Sequence, residues 1–125
     1  MTMPTTGWFL SGLFAAFIVF ASATPKLMGA EAATASFDQL GWPQKYILFI
    51  GLLEVGLVVL YLVPATSLLA AVLLTGLLGG AMASQLRVDN PLFSHVLFSI
   101  YLGVFMWGGL WFRTPKLREL LPLQL

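Results

Sequence analysis

The residues best suited to chemistry lie in one stretch of the chain, residues 79–95, between two apolar segments. This stretch holds the only histidine, His95, together with the side-chain amide of Gln85. Arg87 and Asp89 stand two positions apart in the same turn. Imidazole, guanidinium, carboxylate and amide groups gathered in one turn can bind a polar ligand or move a proton near neutral pH.

A further chemical group, Glu54, lies inside an apolar run that begins at Lys45. At about 1.5 Å per residue, Glu54 lies roughly 13 Å below Lys45, close to the middle of a bilayer core about 30 Å thick. A carboxylate at that depth is costly unless it is paired, hydrated or protonated. Two interpretations stay open: Glu54 neutralises Lys26 or Arg87 and locks the bundle, or it serves a ligand or a proton transfer.

The composition predicts a membrane protein that makes no contact with nucleic acid. Of 125 residues, 59% are hydrophobic and 9% are charged, so lipid must cover much of the surface. The net charge is +1 and the basic residues are scattered. Cysteine is absent and histidine occurs once, which excludes iron–sulfur and bis-histidine haem ligation and argues against a metal site. We therefore expect no intrinsic cofactor, and any electrons belong to a partner or to a bound cofactor such as a quinone.

The hydropathy pattern predicts an all-α integral membrane protein, a four-transmembrane-helix bundle that forms a single domain over residues 1–125. A short interfacial helix is expected between helices 1 and 2, over residues 31–40. The residues after the fourth span are expected to form a surface tail. The four predicted spans are 7–25, 45–63, 66–86 and 92–112.

The first apolar run has a competing interpretation as a signal peptide. Ala21-Ser22-Ala23 resembles a small-residue cleavage site, but no Lys or Arg precedes the run, which favours a retained span. Four spans place both termini on one side of the membrane. The basic tail cluster of Arg113, Lys116 and Arg118 favours cytoplasmic termini in the cell (inner) membrane.

The topology brings the polar residues to the loop-side end of the bundle. We expect a cavity there that narrows toward Glu54, with Gly51 leaving room for a partner or a ligand. The catalytic candidates are Glu54 and His95. The alternatives without a chemical role are that Arg87 and Asp89 pair with each other, or fix the turn and extend to the lipid head groups, and that His95 is solvated or caps a helix. The ligand-binding candidates are Lys26, Gln85, Arg87 and Asp89.

Small residues recur every four positions in the third span, at Gly76, Gly80 and Ser84. This spacing predicts a face that lets another helix approach closely. The other helix could belong to the same bundle, to a second copy in a homo-oligomer, or to a partner protein.

The chain resembles the DoxX-like family of small bacterial membrane proteins. The resemblance rests on the stretch from Gly79 to His95 and on Ile100-Tyr101-Leu102-Gly103-Val104 and Trp107-Gly108-Gly109-Leu110-Trp111. It implies a four-helix membrane bundle, and some relatives are subunits of a thiosulfate–quinone oxidoreductase. The chain departs from the pattern at Gln85, where many relatives have His. The positions that the resemblance marks are Lys26, Glu54, Arg87, Pro91 and His95.

Three functions compete at this point. The first is a binding module whose apolar cavity holds a quinone or an isoprenoid-like lipid beside a redox partner. The second is a small membrane enzyme in which Glu54 and His95 perform acid–base chemistry, such as isomerisation, hydration or cyclisation, on an apolar substrate. The third is an assembly subunit that docks a partner helix on its glycine face.

Overall fold

The structure of the chain, a computed structural model, describes residues 2–122. Every regular element in this part of the chain is a helix, and four helices are long and apolar enough to cross a membrane. The predicted all-α, four-span fold is therefore confirmed. Residues 1 and 123–125 of the predicted domain lie outside the described residues. The helices are span 1 (Met3–Leu27), span 2 (Gln44–Leu62), span 3 (Ser67–Arg87) and span 4 (Leu92–Arg113).

Two short helices lie outside the spans. The first, Glu31–Leu40, confirms the predicted helix between spans 1 and 2, and it ends because Gly41 takes a φ of +78°, a left-handed conformation that favours glycine. The second is the tail helix, Pro115–Leu120. The expected surface tail is wrong in part, because the side chain of Leu117 is buried in the hydrophobic core.

Span 1 starts at Met3, before the predicted residue 7, and contains a π-helical segment, Ile18–Ala23. A π turn adds one residue, so it rotates the following side chains by about 100° relative to an uninterrupted α-helix. The hydroxyl of Thr24 donates to the carbonyl of Val19 at 2.7 Å beside this segment. The π segment thereby sets which way the end of span 1 faces. The other helical segments are Met3–Phe17 and Thr24–Leu27 in span 1, Gln44–Tyr46 and Ile47–Leu62 in span 2, Ser67–Arg87 in span 3, and Leu92–Val96 and Phe98–Arg113 in span 4.

The four spans close into a ring in which each packs against its two neighbours, in the order 1, 2, 3, 4 and back to 1. Span 2 buries one helical stripe, which consists of Ile47, Gly51, Glu54, Leu57, Val58 and Tyr61. The core at the centre of the ring is aromatic and aliphatic. Its largest fully buried side chains include Tyr61, Phe14, Leu74, Met106 and Leu110.

Spans 1 and 4 approach most closely, at Gly7 and Gly109. A Cβ on Gly109 would lie 2.5 Å from Ser11 Oγ, and a Cβ on Gly7 would lie 2.7 Å from the carbonyl oxygen of Gly109. The small-residue packing predicted at Gly76 and Gly80 is not used inside the bundle, because a Cβ at either position would meet nothing within 4 Å. Docking of another chain on that face remains a prediction.

Candidate functional site

A buried ion pair joins spans 1 and 2. Lys26 Nζ donates to Glu54 Oε1 at 2.8 Å, and the Lys26 and Glu54 side chains are only 16% and 7% exposed. The ammonium group also donates to the carbonyl oxygen of Ser22 at 3.2 Å and to the Ser22 hydroxyl at 2.8 Å. These three acceptors use all three N–H groups of the lysine. Lys26 is therefore fixed in one orientation, with Glu54 as its counter-ion.

The second carboxylate oxygen of Glu54, Oε2, is buried and has no hydrogen-bond partner in residues 2–122. A buried carboxylate oxygen without a donor carries an unrecovered desolvation cost. Such an atom in a folded protein indicates strain, an ordered water, or a place where another donor binds. It is an acceptor in its ionised form, so the group that would satisfy it is an O–H, of water or of a ligand, or an N–H.

The expected open space beside Glu54 is filled by protein. A Cβ on Gly51 would lie 3.1 Å from Lys26 Cβ and 3.1 Å from Leu27 Cδ2, so this glycine admits the end of span 1. Of the two occupants predicted for the space beside Gly51, a partner or a ligand, the structure places a partner there, the end of span 1. Leu27, which covers Gly51, is 36% exposed.

The predicted ligand-binding residues Gln85 and Arg87 are used by the turn and by its neighbours. Arg87 Nη2 donates to the carbonyl oxygen of Leu40, the last residue of helix Glu31–Leu40. Gln85 Oε1 accepts from the side-chain amide of Asn90. Neither side chain makes a hydrogen bond or ion pair with Glu54 in the described residues, so Arg87 closes the end of a helix and Gln85 braces the turn.

Asp89 and His95 are both exposed. Asp89 takes a φ of +58°, a conformation that Asp and Asn tolerate in turns, and the expected ion pair with Arg87 does not form. His95 Nδ1 lies 2.8 Å from Ser94 Oγ, and no other hydrogen bond to its ring is present in the described residues. The structure therefore brings together Lys26 and Glu54, and leaves His95 without contact to that pair.

Residues 9–109 match the DoxX-like family, and this range contains the ion pair of Lys26 and Glu54 and the whole 79–95 turn. The chain belongs to the DoxX-like family. Searches of curated proteins and of solved structures gave no match. The last turn of span 4, from Leu110, and the tail of this DoxX-like protein lie beyond the matched range.

The 79–95 stretch of this DoxX-like protein takes part in a second set of polar contacts, which the sequence does not indicate. Trp42 Nε1 donates to Ser84 Oγ at 3.0 Å, and Gln39 Nε2 donates to Asn90 Oδ1 at 3.2 Å. Together with Arg87, these contacts tie the helix Glu31–Leu40 and the residues after it to the end of span 3. Ser84, Arg87 and Asn90 therefore join the end of span 3 and the turn after it to the segment between spans 1 and 2.

Replacing Arg87 with Gln is expected to loosen the end of helix Glu31–Leu40 and leave the ion pair at Glu54 intact. A charge-assisted hydrogen bond contributes roughly 1.5–3 kcal/mol, and the shorter Gln side chain does not reach the Leu40 carbonyl in the same way. Hydrogen exchange should show faster exchange in residues 37–41 and unchanged exchange around Glu54. If the variant exchanged as slowly as the wild type in residues 37–41, the result would contradict the helix-end role of Arg87.

The opposite end of the bundle contains a buried network that the sequence analysis missed. Tyr61 Oη donates to the carbonyl of Met106 at 2.6 Å and lies 2.9 Å from Ser11 Oγ. Arg113 Nη2 donates to the carbonyl of Tyr61 at 2.9 Å, and its guanidinium lies 4.1 Å from the ring centre of Trp8. The one available signal is the helical stripe that ends at Tyr61. Its partners on spans 1 and 4 cannot be read from periodicity.

Proposed function

We propose that this DoxX-like protein binds the hydroxylated head group of an isoprenoid quinol beside Glu54 and works with a redox partner in the membrane. The observation that carries the proposal is the buried Glu54 Oε2 without a hydrogen-bond donor. A quinol presents hydroxyl donors, whereas the oxidised quinone presents only carbonyl acceptors. The free oxygen therefore favours the reduced form of the ligand.

The neighbouring residues support a positioning role. Lys26 donates to Oε1 and is itself fixed by Ser22, so the carboxylate is held with Oε2 left over. Leu27 covers Gly51, three residues before Glu54, and is in part exposed, which supports entry of a ligand at the outer surface of spans 1 and 2. A ligand with an apolar tail would reach the site from the lipid.

Oxidation of the bound quinol to the quinone would release two electrons and two protons. Glu54 Oε2 would take one proton from the hydroxyl that it faces, and the electrons and the second proton would pass to the redox partner. The chain has no cysteine and a single, exposed histidine, so the acceptor of the electrons must belong to the partner. The alternative of acid–base catalysis by Glu54 and His95 has less support, because no hydrogen bond joins His95 to Glu54 or Lys26 in the described residues.

The test is the redox preference of binding. The protein in lipid nanodiscs is titrated anaerobically with a short-chain benzoquinol and, separately, with its quinone, and bound ligand is counted by native mass spectrometry. Because a hydrogen bond to a charged group contributes about 1.5–3 kcal/mol, we expect the wild type to bind the quinol roughly 10- to 100-fold more tightly.

Glu54→Gln should abolish or reverse this preference, because the amide can keep its oxygen toward Lys26 and place an N–H donor where Oε2 stood. Glu31→Gln, at an exposed carboxylate, is the matched control and should behave as wild type. Equal binding of both ligand forms by wild type and Glu54→Gln, or no saturable binding, would refute the proposal.

A further inference from the structure

A cavity lies at the end of the bundle that contains the start of span 1 and the end of span 4, away from Glu54. Its volume is about 510 Å³. It lies between the start of span 1, the turn that joins spans 2 and 3, and the end of span 4. Its lining residues are Trp8, Pro64, Ser67, Arg113, Thr114, Pro115 and Lys116.

The charge of this cavity is positive and not compensated. Arg113 and Lys116 line it, and neither has a carboxylate partner within 4 Å in residues 2–122. Glu119 is the only acidic residue after Asp89. Within residues 2–122, the Arg113 Nε is buried without an acceptor, so the guanidinium is not neutralised by hydrogen bonds at that atom. The cavity therefore offers the cationic charge of Arg113 and Lys116 to an anion.

Arg113 is held in place before any ligand arrives. Its guanidinium stacks 4.1 Å from the Trp8 ring centre and 4.9 Å from that of Tyr61, and Nη2 donates to the Tyr61 carbonyl. A fixed guanidinium loses little conformational entropy on binding, and the N–H groups of Nη1, which Tyr61 does not use, can donate to a phosphate oxygen. Lys116 is exposed and adds a second cation.

We propose that this cavity binds the phosphate group of an anionic phospholipid. The cavity opens where the apolar part of span 1 begins and that of span 4 ends, which is the level of lipid head groups. Its walls include the apolar surfaces of Trp8, Pro64 and Pro115, which suit the glycerol and first acyl carbons next to a phosphate. Free phosphate shares the charge but would leave these apolar walls uncovered.

The experiment measures lipid retention by the full chain. Protein in nanodiscs of mixed phosphatidylglycerol and phosphatidylcholine, with the same acyl chains, is released in the mass spectrometer and its bound lipid is identified. We expect retained phosphatidylglycerol in stoichiometric amount. Because one cation near the lipid surface contributes about 1 kcal/mol, Lys116→Gln should lower that retention about five-fold.

Lys45→Gln is the matched control, because Lys45 is also exposed but lies at the opposite end of the bundle, and it should retain lipid as wild type does. Equal retention of the two lipids, or an equal loss in both variants, would overturn the proposal. Inorganic phosphate titrated into protein in phosphatidylcholine nanodiscs separates the two sources of phosphate. The lipid assignment would be overturned in favour of free phosphate if inorganic phosphate bound saturably and in a Lys116-dependent manner there, and if it also displaced phosphatidylglycerol from protein in the mixed nanodiscs.

Discussion

Replacing Lys26 with methionine is expected to lower the free energy of unfolding by roughly 3–5 kcal/mol, the usual cost of leaving one member of a buried ion pair without its partner. Lys26 Nζ lies 2.8 Å from Glu54 Oε1, and the other oxygen of Glu54 already has no donor in the described residues. The variant would leave both oxygens of a buried carboxylate without a partner. Equilibrium unfolding in mixed detergent micelles measures the difference.

The double variant Lys26→Met, Glu54→Leu separates the pair from its parts. Removing both charges eliminates the unpaired carboxylate, so most of the lost stability should return. Lys45→Met, at an exposed lysine, should change the stability by no more than about 0.5 kcal/mol. If the double variant is as unstable as Lys26→Met, the loss comes from packing at residue 26 and the electrostatic explanation fails.

Replacing Gly109 with alanine is expected to destabilise the bundle by roughly 3 kcal/mol, at the upper end of the usual range for overpacking. The new Cβ would lie 2.5 Å from Ser11 Oγ and 2.8 Å from the Ser11 backbone nitrogen. The side chain of Ser11 could turn away, but the backbone contact requires spans 1 and 4 to move apart. Thermal unfolding in detergent would register this as a lower midpoint temperature.

Gly103→Ala in the same span is the control for helix propensity, because a Cβ there would meet nothing within 4 Å. It should be neutral or slightly stabilising. Ser11→Ala removes the contact with Oγ but keeps the one with the backbone, and by itself it loses the hydrogen bond to Tyr61. Gly109→Ala should therefore cost less stability in the Ser11→Ala background than in the wild type. Equal stability of Gly103→Ala and Gly109→Ala would contradict the close approach of spans 1 and 4.

The candidate site was only partly predictable. Glu54 and Lys26 stand out because a charge inside an apolar run needs a partner, and Lys26 is one of the few cations within reach. From the sequence, Arg87 is an equally suitable counter-ion for Glu54 and His95 an equally suitable catalytic neighbour, because topology places both at the same end of the bundle as Lys26. Topology fixes height along the membrane normal, but it does not fix which way a side chain points around the helix.

Glycine spacing identified a face of span 3 but did not identify its neighbour, for a related reason. Gly76 and Gly80 recur with the period of a packing face, yet they lie on an open surface, whereas the close contact uses Gly7 and Gly109. Periodicity within one helix identifies a face of small residues. It does not show whether a neighbour covers that face, because this depends on how all four helices rotate relative to one another.

The sequence by itself determined the solvent, the fold class and the number of spans, because these follow from the length and polarity of apolar runs and from the cost of exposing backbone groups to lipid. It also determined that Glu54 must be paired, hydrated or protonated. Only the tertiary structure decided that Lys26 pairs with it, that Arg87 closes a helix end, and that Arg113 lies over Trp8 beside a cationic cavity. Those contacts join residues distant in the chain, and they depend on how the helices rotate relative to one another. For Lys26, that rotation includes the π turn in span 1.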